Sequence, residues 1–267
     1  MWCGHPCARP GVGERLRKMA LEITWLGHAT VLIELDGVRV LTDPVLGKRA
    51  GALVRIAPPV ALASTSDIDI VLLSHLHSDH ADVPSLRRVA VSARVFGPAG
   101  AGRWLRRKGL KDVTELHPGE DLAAGPLHVQ AVRAVHEGRR HPLARRAESI
   151  GFVIRGSRSL YFAGDTDLFE GMGTLSGRID AALLPVSGWG PTLGPGHLDP
   201  ERAAKAAALM SPRLAIPIHW GTLGLPLGIA RPRDAERRPR EFESLAARTA
   251  PTVEVRVLTP GEHTTLN

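Results

Sequence analysis

The sequence predicts an α/β protein in which two sheets carry helices on their outer faces. Three observations predict it. Short apolar runs rich in β-branched residues recur through both halves of the 267 residues, and such runs read as buried strands. Stretches that suit helices fall between them, as expected for helices covering sheets. A chain of this length, with 43% hydrophobic residues, suits one large layered domain or two small ones.

Residues 1–18 differ from the rest of the chain. They contain Gly, Pro, Arg and Cys without an apolar run, so they do not read as a secretory signal. A disordered leader, or a start placed too early before Met19, is expected, with residues 19–267 as one domain. Cys3, His5 and Cys7 lack a second pair of donors, so an unstructured tail is the simpler reading. No disulfide framework exists, since Cys3 and Cys7 are the two cysteines of the chain, and a reducing cytoplasm fits. Arg9, Arg15, Arg17 and Lys18 against Glu14 supply three of the seven net positive charges. The remainder is modestly basic, compatible with a small anionic substrate and without a nucleic-acid signature. No segment approaches the ~18 apolar residues of a membrane span. Oligomeric state has no signal in the sequence.

From the N-terminal side, Leu21–Trp25 is a strand, and Gly27-His28 a turn. Thr30–Leu35 and Val38–Thr42 are strands joined by Asp36-Gly37, a strong hairpin signal. Residues 44–66 are rich in Gly, Ala and Pro and read as a long loop able to wall a cleft, with Leu46, Leu53, Val54 and Ile56 as its apolar members. Ile68–Leu73 is a buried strand, and Pro84–Ala90 starts a helix with Pro at an early position. Arg94–Phe96 is a strand. Gly100–Lys108 is a basic helix stopped by Gly109. Val113–Leu116 and Leu127–Val132 are strands, and Ile150–Ile154 pairs with Ser159–Ala163 around Gly156-Ser157. Ala181–Pro185 and Leu214–Ile218 are buried strands. Pro200–Met210 is a helix capped by Asp199. Arg233–Arg248 is an amphipathic helix and Val253–Leu258 a final strand.

The stretch Ser74-His75-Leu76-His77-Ser78-Asp79-His80 leaves the Ile68–Leu73 strand. Loops at strand ends let a rigid scaffold aim side chains into a cleft. Three imidazoles and a carboxylate this close suit zinc or its neighbours in the transition series and make poor core material. His136, Asp165 and His219 each come after an apolar run as well. Singly, each would cap a turn. Together with the cluster they give enough donors for two metals.

His75-x-His77-x-Asp79-His80, with His136, Asp165 and His219 later in the chain, resembles the metallo-β-lactamase-fold hydrolases. The resemblance runs from about Ile23 to Leu258 in the order of these elements. Leu41–Pro44, Ala163–Thr166, Ile218–Thr222 and the Gly196–Glu201 turn look most like the branch of N-acyl-phosphatidylethanolamine phospholipase D and ascorbate-6-phosphate lactonase. The resemblance implies a four-layer αββα sandwich with a dinuclear site at one edge of the sheets. It implies two divalent ions, zinc first, with manganese or iron as alternatives. His75, His77 and His136 would hold one, and Asp79, His80 and His219 the other, with Asp165 between them. Asp79 would also orient the attacking hydroxide or take its proton. His197 would bind or protonate a substrate oxygen, and Asp43 would support the donor loop from behind. His28 is either a hydrogen-bonded turn residue or a substrate contact, and Arg139 and Arg140 are candidates for an anionic group.

The expected reaction is hydrolysis of a phosphodiester or a related phosphorylated small molecule. A lactonase or ester hydrolase would use the same site. A short tRNA-processing nuclease and a non-catalytic metal-binding protein are weaker readings, because aromatic residues for base stacking are few and the donor set is complete.

Overall fold

Alternation along the strands sorts the apolar side chains into layers. The computed structural model describes residues 20–61, 65–138, 147–188, 193–226 and 236–267. Its earlier strands are β1 (Leu21–Gly27), β2 (Thr30–Leu35), β3 (Val38–Thr42), β4 (Arg49–Ala50), β5 (Leu53–Arg55), β6 (Ile70–Leu72), β7 (Arg94–Pro98) and β8 (Val113–Leu116). The later ones are β9 (Asp121–Ala124), β10 (Leu127–Arg133), β11 (Ile150–Arg155), β12 (Ser159–Phe162), β13 (Ala181–Pro185), β14 (Leu214–Ile218), β15 (Leu223–Gly224), β16 (Glu254–Val255) and β17 (His263–Leu266). The helices are α1 (Val83–Val89), α2 (Gly102–Arg107), α3 (Pro200–Met210) and α4 (Arg237–Thr249).

One sheet runs β17-β1-β2-β3-β6-β7-β8 and the other β16-β14-β13-β12-β11-β10-β9. Val31, Ile33, Ile70, Leu72 and Phe96 point from the first sheet into the same core as Val129, Phe152, Ile154 and Phe162 of the second. Their neighbours in sequence, Leu32, Val71 and Val95, point the other way and pack with Leu86 and Leu105 of α1 and α2. On the far side, Ala203, Ala207 and Met210 of α3 and Phe242 and Ala246 of α4 close the second sheet. Strand period two thus gives the αββα order of layers. Asp36, in the β2–β3 turn, accepts from the backbone N–H (2.7 Å) and hydroxyl (2.5 Å) of Ser157 in the β11–β12 turn, which ties the sheets at one end.

Capping agrees with the sequence. Asp82 accepts from Ser85 N at the start of α1, and Asp199 from Arg202 N at 2.8 Å at the start of α3. Two expectations are corrected. Residues 44–66 are not loop throughout: β4 and β5 form a small hairpin that pairs with β15, and Val45, Ala50, Leu53 and Leu223 pack beneath it. The run Val253–Leu258 is strand only at Glu254–Val255, and the last strand is β17, paired antiparallel with β1. Of the expected helix Arg233–Arg248, residues 233–235 lie outside the described residues, as does the leader 1–18. Among the described residues no helix is long and apolar enough to cross a membrane.

Candidate metal centre

Strand direction brings the candidate residues to one edge. β1, β3 and β6 run the same way in the first sheet, and β10, β12 and β14 run the same way in the second. His28 comes directly after β1, Asp43 after β3 and His75–His80 after β6. His136, Asp165 and His219 come after β10, β12 and β14. Ligands of open α/β sheets gather at such carboxyl ends. Asp165 is introduced by Gly164, whose φ of +60° and close approach to Ser74, 2.5 Å from where a Cβ would lie, disfavour any side chain there.

The seven expected donors converge. His75 Nε2 lies 3.0 Å from His77 Nδ1, and His136 Nε2 lies 3.2 Å from the same atom. Beside them His80 Nε2 and His219 Nε2 are 3.1 Å apart. Asp79 Oδ2 stands 3.8 Å from the first of these and 4.0 Å from the second. Asp165 faces both groups. Its Oδ2 is 3.8 Å from His75, 4.0 Å from His136 and 3.2 Å from His80, while its Oδ1 is 3.1 Å from His219. His75, His80, Asp165 and His219 are buried, and His77 and His136 are partly open.

The outer nitrogens decide what the inner ones can do. His80 Nδ1 meets Asp43 Oδ2 at 2.7 Å, His219 Nδ1 meets the Ser187 carbonyl at 2.7 Å, and His136 Nδ1 meets the Gly196 carbonyl at 2.9 Å. Carboxylate and carbonyl oxygens accept, so each Nδ1 carries a proton. Ser74 donates its hydroxyl to Asp43 Oδ2 and can accept from His75 Nδ1 at 3.0 Å. In their neutral form these rings therefore turn ring-nitrogen lone pairs inward, His80 and His219 towards each other and His136 towards His77. Lone pairs at about 3 Å repel unless a proton or a cation lies between them. Among the described residues, Asp165 Oδ1 is likewise buried without a hydrogen-bond partner. Imidazole and carboxylate donors in this arrangement fit divalent metal ions.

Charge and burial show the same tension. Burial lowers His219 to about 3 and His136 to about 4, and pushes His75 well down. Burial also opposes a charge on His80, but Asp165, Asp79 and Asp43 outweigh it and raise that imidazole well above its ordinary value. Asp79 and Asp165 are held far below the usual carboxylate range; burial works against this, and His80 and His219 respectively are the first to overcome it.

The remaining expected residues surround these donors. Asp43, fully buried, also accepts from Ser74 N at 2.7 Å, so it grips the donor loop twice besides holding His80. His197 places Nε2 3.4 Å from Asp165 Oδ2 and Nδ1 3.0 Å from the Gly194 carbonyl, with its ring edge against His136. Its pKa is raised: burial opposes, and the hydrogen bond to Asp165 more than compensates. His28 is buried and directs Nε2 to Asp79 Oδ2 at 3.1 Å rather than outward. Arg139 and Arg140 lie outside the described residues. Ser74 is a participant that sequence reasoning misses, although it stands directly before His75; the carbonyls of Ser187 and Gly196 leave no trace in residue identity. A cleft of 710 Å³ opens beside His136, lined by His117, Arg133, Glu137 and Glu148 among others. A larger one of 1230 Å³ lies around Trp220, Arg55 and Ile56, and none of the seven donors lines it.

Residues 38–220 match the beta-lactamase superfamily domain. The chain is 33% identical over 241 residues to N-acyl-phosphatidylethanolamine-hydrolyzing phospholipase D 1 of Caenorhabditis elegans, covering 79% of this chain and 67% of that protein. It is 30% identical over 246 residues to a metal-dependent hydrolase of Caldivirga maquilingensis, covering 90% and 96%. Its fold is similar to that of a metallo hydrolase from the hyperthermophilic archaeon Ignicoccus hospitalis, with a TM-score of 0.69, 25% identity, and 93% and 99% of the two chains covered.

Proposed function

Because this chain belongs to the beta-lactamase superfamily of metal-dependent hydrolases, we propose that it holds two divalent ions, zinc in the first place, and hydrolyses a phosphodiester in a small anionic substrate. The observation that carries this reading is the set of inward nitrogens whose opposite nitrogens are already spent. His75 Nε2, His77 Nδ1 and His136 Nε2 would hold one ion, and Asp79, His80 Nε2 and His219 Nε2 the other, with Asp165 between them. A carboxylate can span ions about 3.5–4 Å apart.

Two such ions supply Lewis acidity and a water acidified towards neutral pH. The chain's own residues do the rest. Asp43 and the Ser187 carbonyl fix the tautomers of His80 and His219, which keeps their Nε2 atoms available. Neutral imidazoles do not cancel the charge of two dications, so an anionic substrate and an anionic transition state are favoured. His197 is the most open of the histidines around Asp165, with its side chain 21% exposed. With Nδ1 turned to the Gly194 carbonyl, Nε2 faces Asp165, whose hydrogen bond raises the pKa of the ring. A proton on Nε2 is the one His197 would give to the leaving oxygen. The phosphodiester is supported by the phospholipase relative.

The test is hydrolysis of a bis-aryl phosphodiester by zinc- or manganese-loaded protein, with Asp165→Ala as the blank. Turnover that needs metal and falls by roughly 10²-fold or more in the variant is expected, the scale of losing one electrostatic stabiliser. No turnover with both ions bound would sink the phosphodiester and leave a lactone or another ester as the bond attacked.

A further inference from the structure

We propose that His28 is the positioning residue of the second metal position: its Nε2–H holds the carboxylate of Asp79 while its backbone and ring hold His219. The inference rests on the dinuclear reading of the centre.

His28 is 1% exposed, so it meets no substrate from solvent. Its Nε2 lies 3.1 Å from Asp79 Oδ2. An ionised carboxylate only accepts, so this contact requires the proton on Nε2. The residue sits in the turn between β1 and β2 with φ at +54°, the left-handed region that a non-glycine side chain seldom enters. Such conformations persist where the surroundings over-determine them, and they cluster at functional sites. Here the surroundings do so three times. The His28 backbone N–H donates to Thr222 Oγ1 at 2.7 Å. Its carbonyl accepts from Trp25 Nε1 at 2.9 Å and from His219 N at 2.9 Å. One residue of the first sheet therefore grips a carboxylate from the loop after β6 and an imidazole from the end of β14.

His28 Nε2 also falls among the donor atoms of Asp79, His80 and His219, which all lie within 4.8 Å of one another. The rings of His28 and His219 also touch, tilted by 37° with centroids 3.8 Å apart. Direct ligation is the competing reading, and the contact to Asp79 opposes it. A nitrogen that carries the proton donated to Asp79 has no lone pair for an ion. The contacts that fix His28 join it to Asp79, His219, Thr222 and Trp25, so its loss acts on the second position.

The experiment is a zinc titration against a chelating indicator, which resolves two binding steps in the wild-type chain. H28F keeps a ring over His219 and removes the donor. H28Q restores an N–H at similar reach. The expected result is a second step weakened by about 10–100-fold in H28F, the usual cost of losing a partner behind a metal ligand, with the first step unchanged and most of the loss recovered in H28Q. Two tight steps in H28F would overturn the proposal. So would equal weakening of both steps, or a loss that H28Q does not recover, since either marks a merely structural role. Should H28F not fold, the imidazole nitrogen spectrum of the zinc-loaded wild type decides: a proton on His28 Nε2 supports the assignment and a proton on Nδ1 overturns it. A wild-type chain that takes up one ion would overturn the dinuclear reading itself, before any variant is made.

Discussion

A histidine in this site is defined by what its outer nitrogen touches. His80, His136 and His219 each spend Nδ1 on an oxygen of the chain and turn Nε2 inward, while His77 turns Nδ1 towards His75 and His136. His197 stands apart: it is bonded to the Gly194 carbonyl, faces Asp165 with Nε2, and is the most open of these rings. That difference predicts a separable defect. If His197 is the general acid proposed above, His197→Ala should keep its metal content while turnover falls by about 10²–10⁴-fold. Metal content measured beside steady-state rates checks this, and unchanged kcat and KM would remove His197 from the reaction. At this scale the sequence is most legible where donors crowd together, because His75 to His80 leave little room for another chemistry. It is least legible where a backbone oxygen does the holding, since any residue at positions 187 or 196 carries a carbonyl.

Among the elements, strand ends matter more than strands. Three site residues adopt left-handed backbone at such ends: His28 at +54°, Asp43 at +30° and His219 at +64°. Gly164 makes the same kind of turn before Asp165, against Ser74. A methyl there would press on the residue whose hydroxyl reaches Asp43, so Gly164→Ala is expected to cost about 1–3 kcal/mol and to loosen the donor loop. Thermal denaturation reads the first effect and zinc affinity the second; a variant equal to wild type in both would show that the loop yields freely. Strands with clear apolar runs are legible to the residue: Thr30–Leu35, Val38–Thr42, Ala181–Pro185 and Leu214–Ile218 appear as expected. The hairpin of β4 and β5 is not, because its strands are two and three residues long and carry no period. β17 escapes for a related reason. His263-Thr264-Thr265-Leu266 has one large apolar side chain, and its pairing with β1 lies far away in sequence. Val257 and Leu258 read as strand because they are apolar; they pack on the core without a ladder.

For the molecule as a whole, the centre is a staple between sheets, with His75–His80 from the first and His136, Asp165 and His219 from the second. Ions bound there stabilise the folded chain by about 2.7 kcal/mol at a free concentration 100 times the dissociation constant. For a protein of this size that is a rise in Tm of roughly 5–10 °C, which calorimetry with and without a chelator would detect; identical melting would mean that the sheets need no staple. Acid acts in the same direction as the chelator. His219 and His136 fall to about 3 and about 4 from an ordinary 6.5, so between those values the unfolded chain binds more protons. Their contribution is complete above 6.5 and is lost as pH falls. His80 and His197, raised, work in the opposite sense and lose their contribution as pH rises, but three lowered imidazoles, His75 with these two, stand against them. Melting temperature should therefore drop as pH is lowered from 7 to 5, and a flat profile would contradict these shifts. The pairing of β1 with β17 also sets a timetable for synthesis. Strand β1 leaves the ribosome long before β17, so its outer edge waits for residues 263–266. Until they emerge, Leu21–Gly27 offers a row of unpaired backbone groups to any neighbouring nascent chain. A chain stalled or cut a few residues before β17 would thus lose the guard on β1, and its failure would show as clumping on the polysome rather than as a damaged active site.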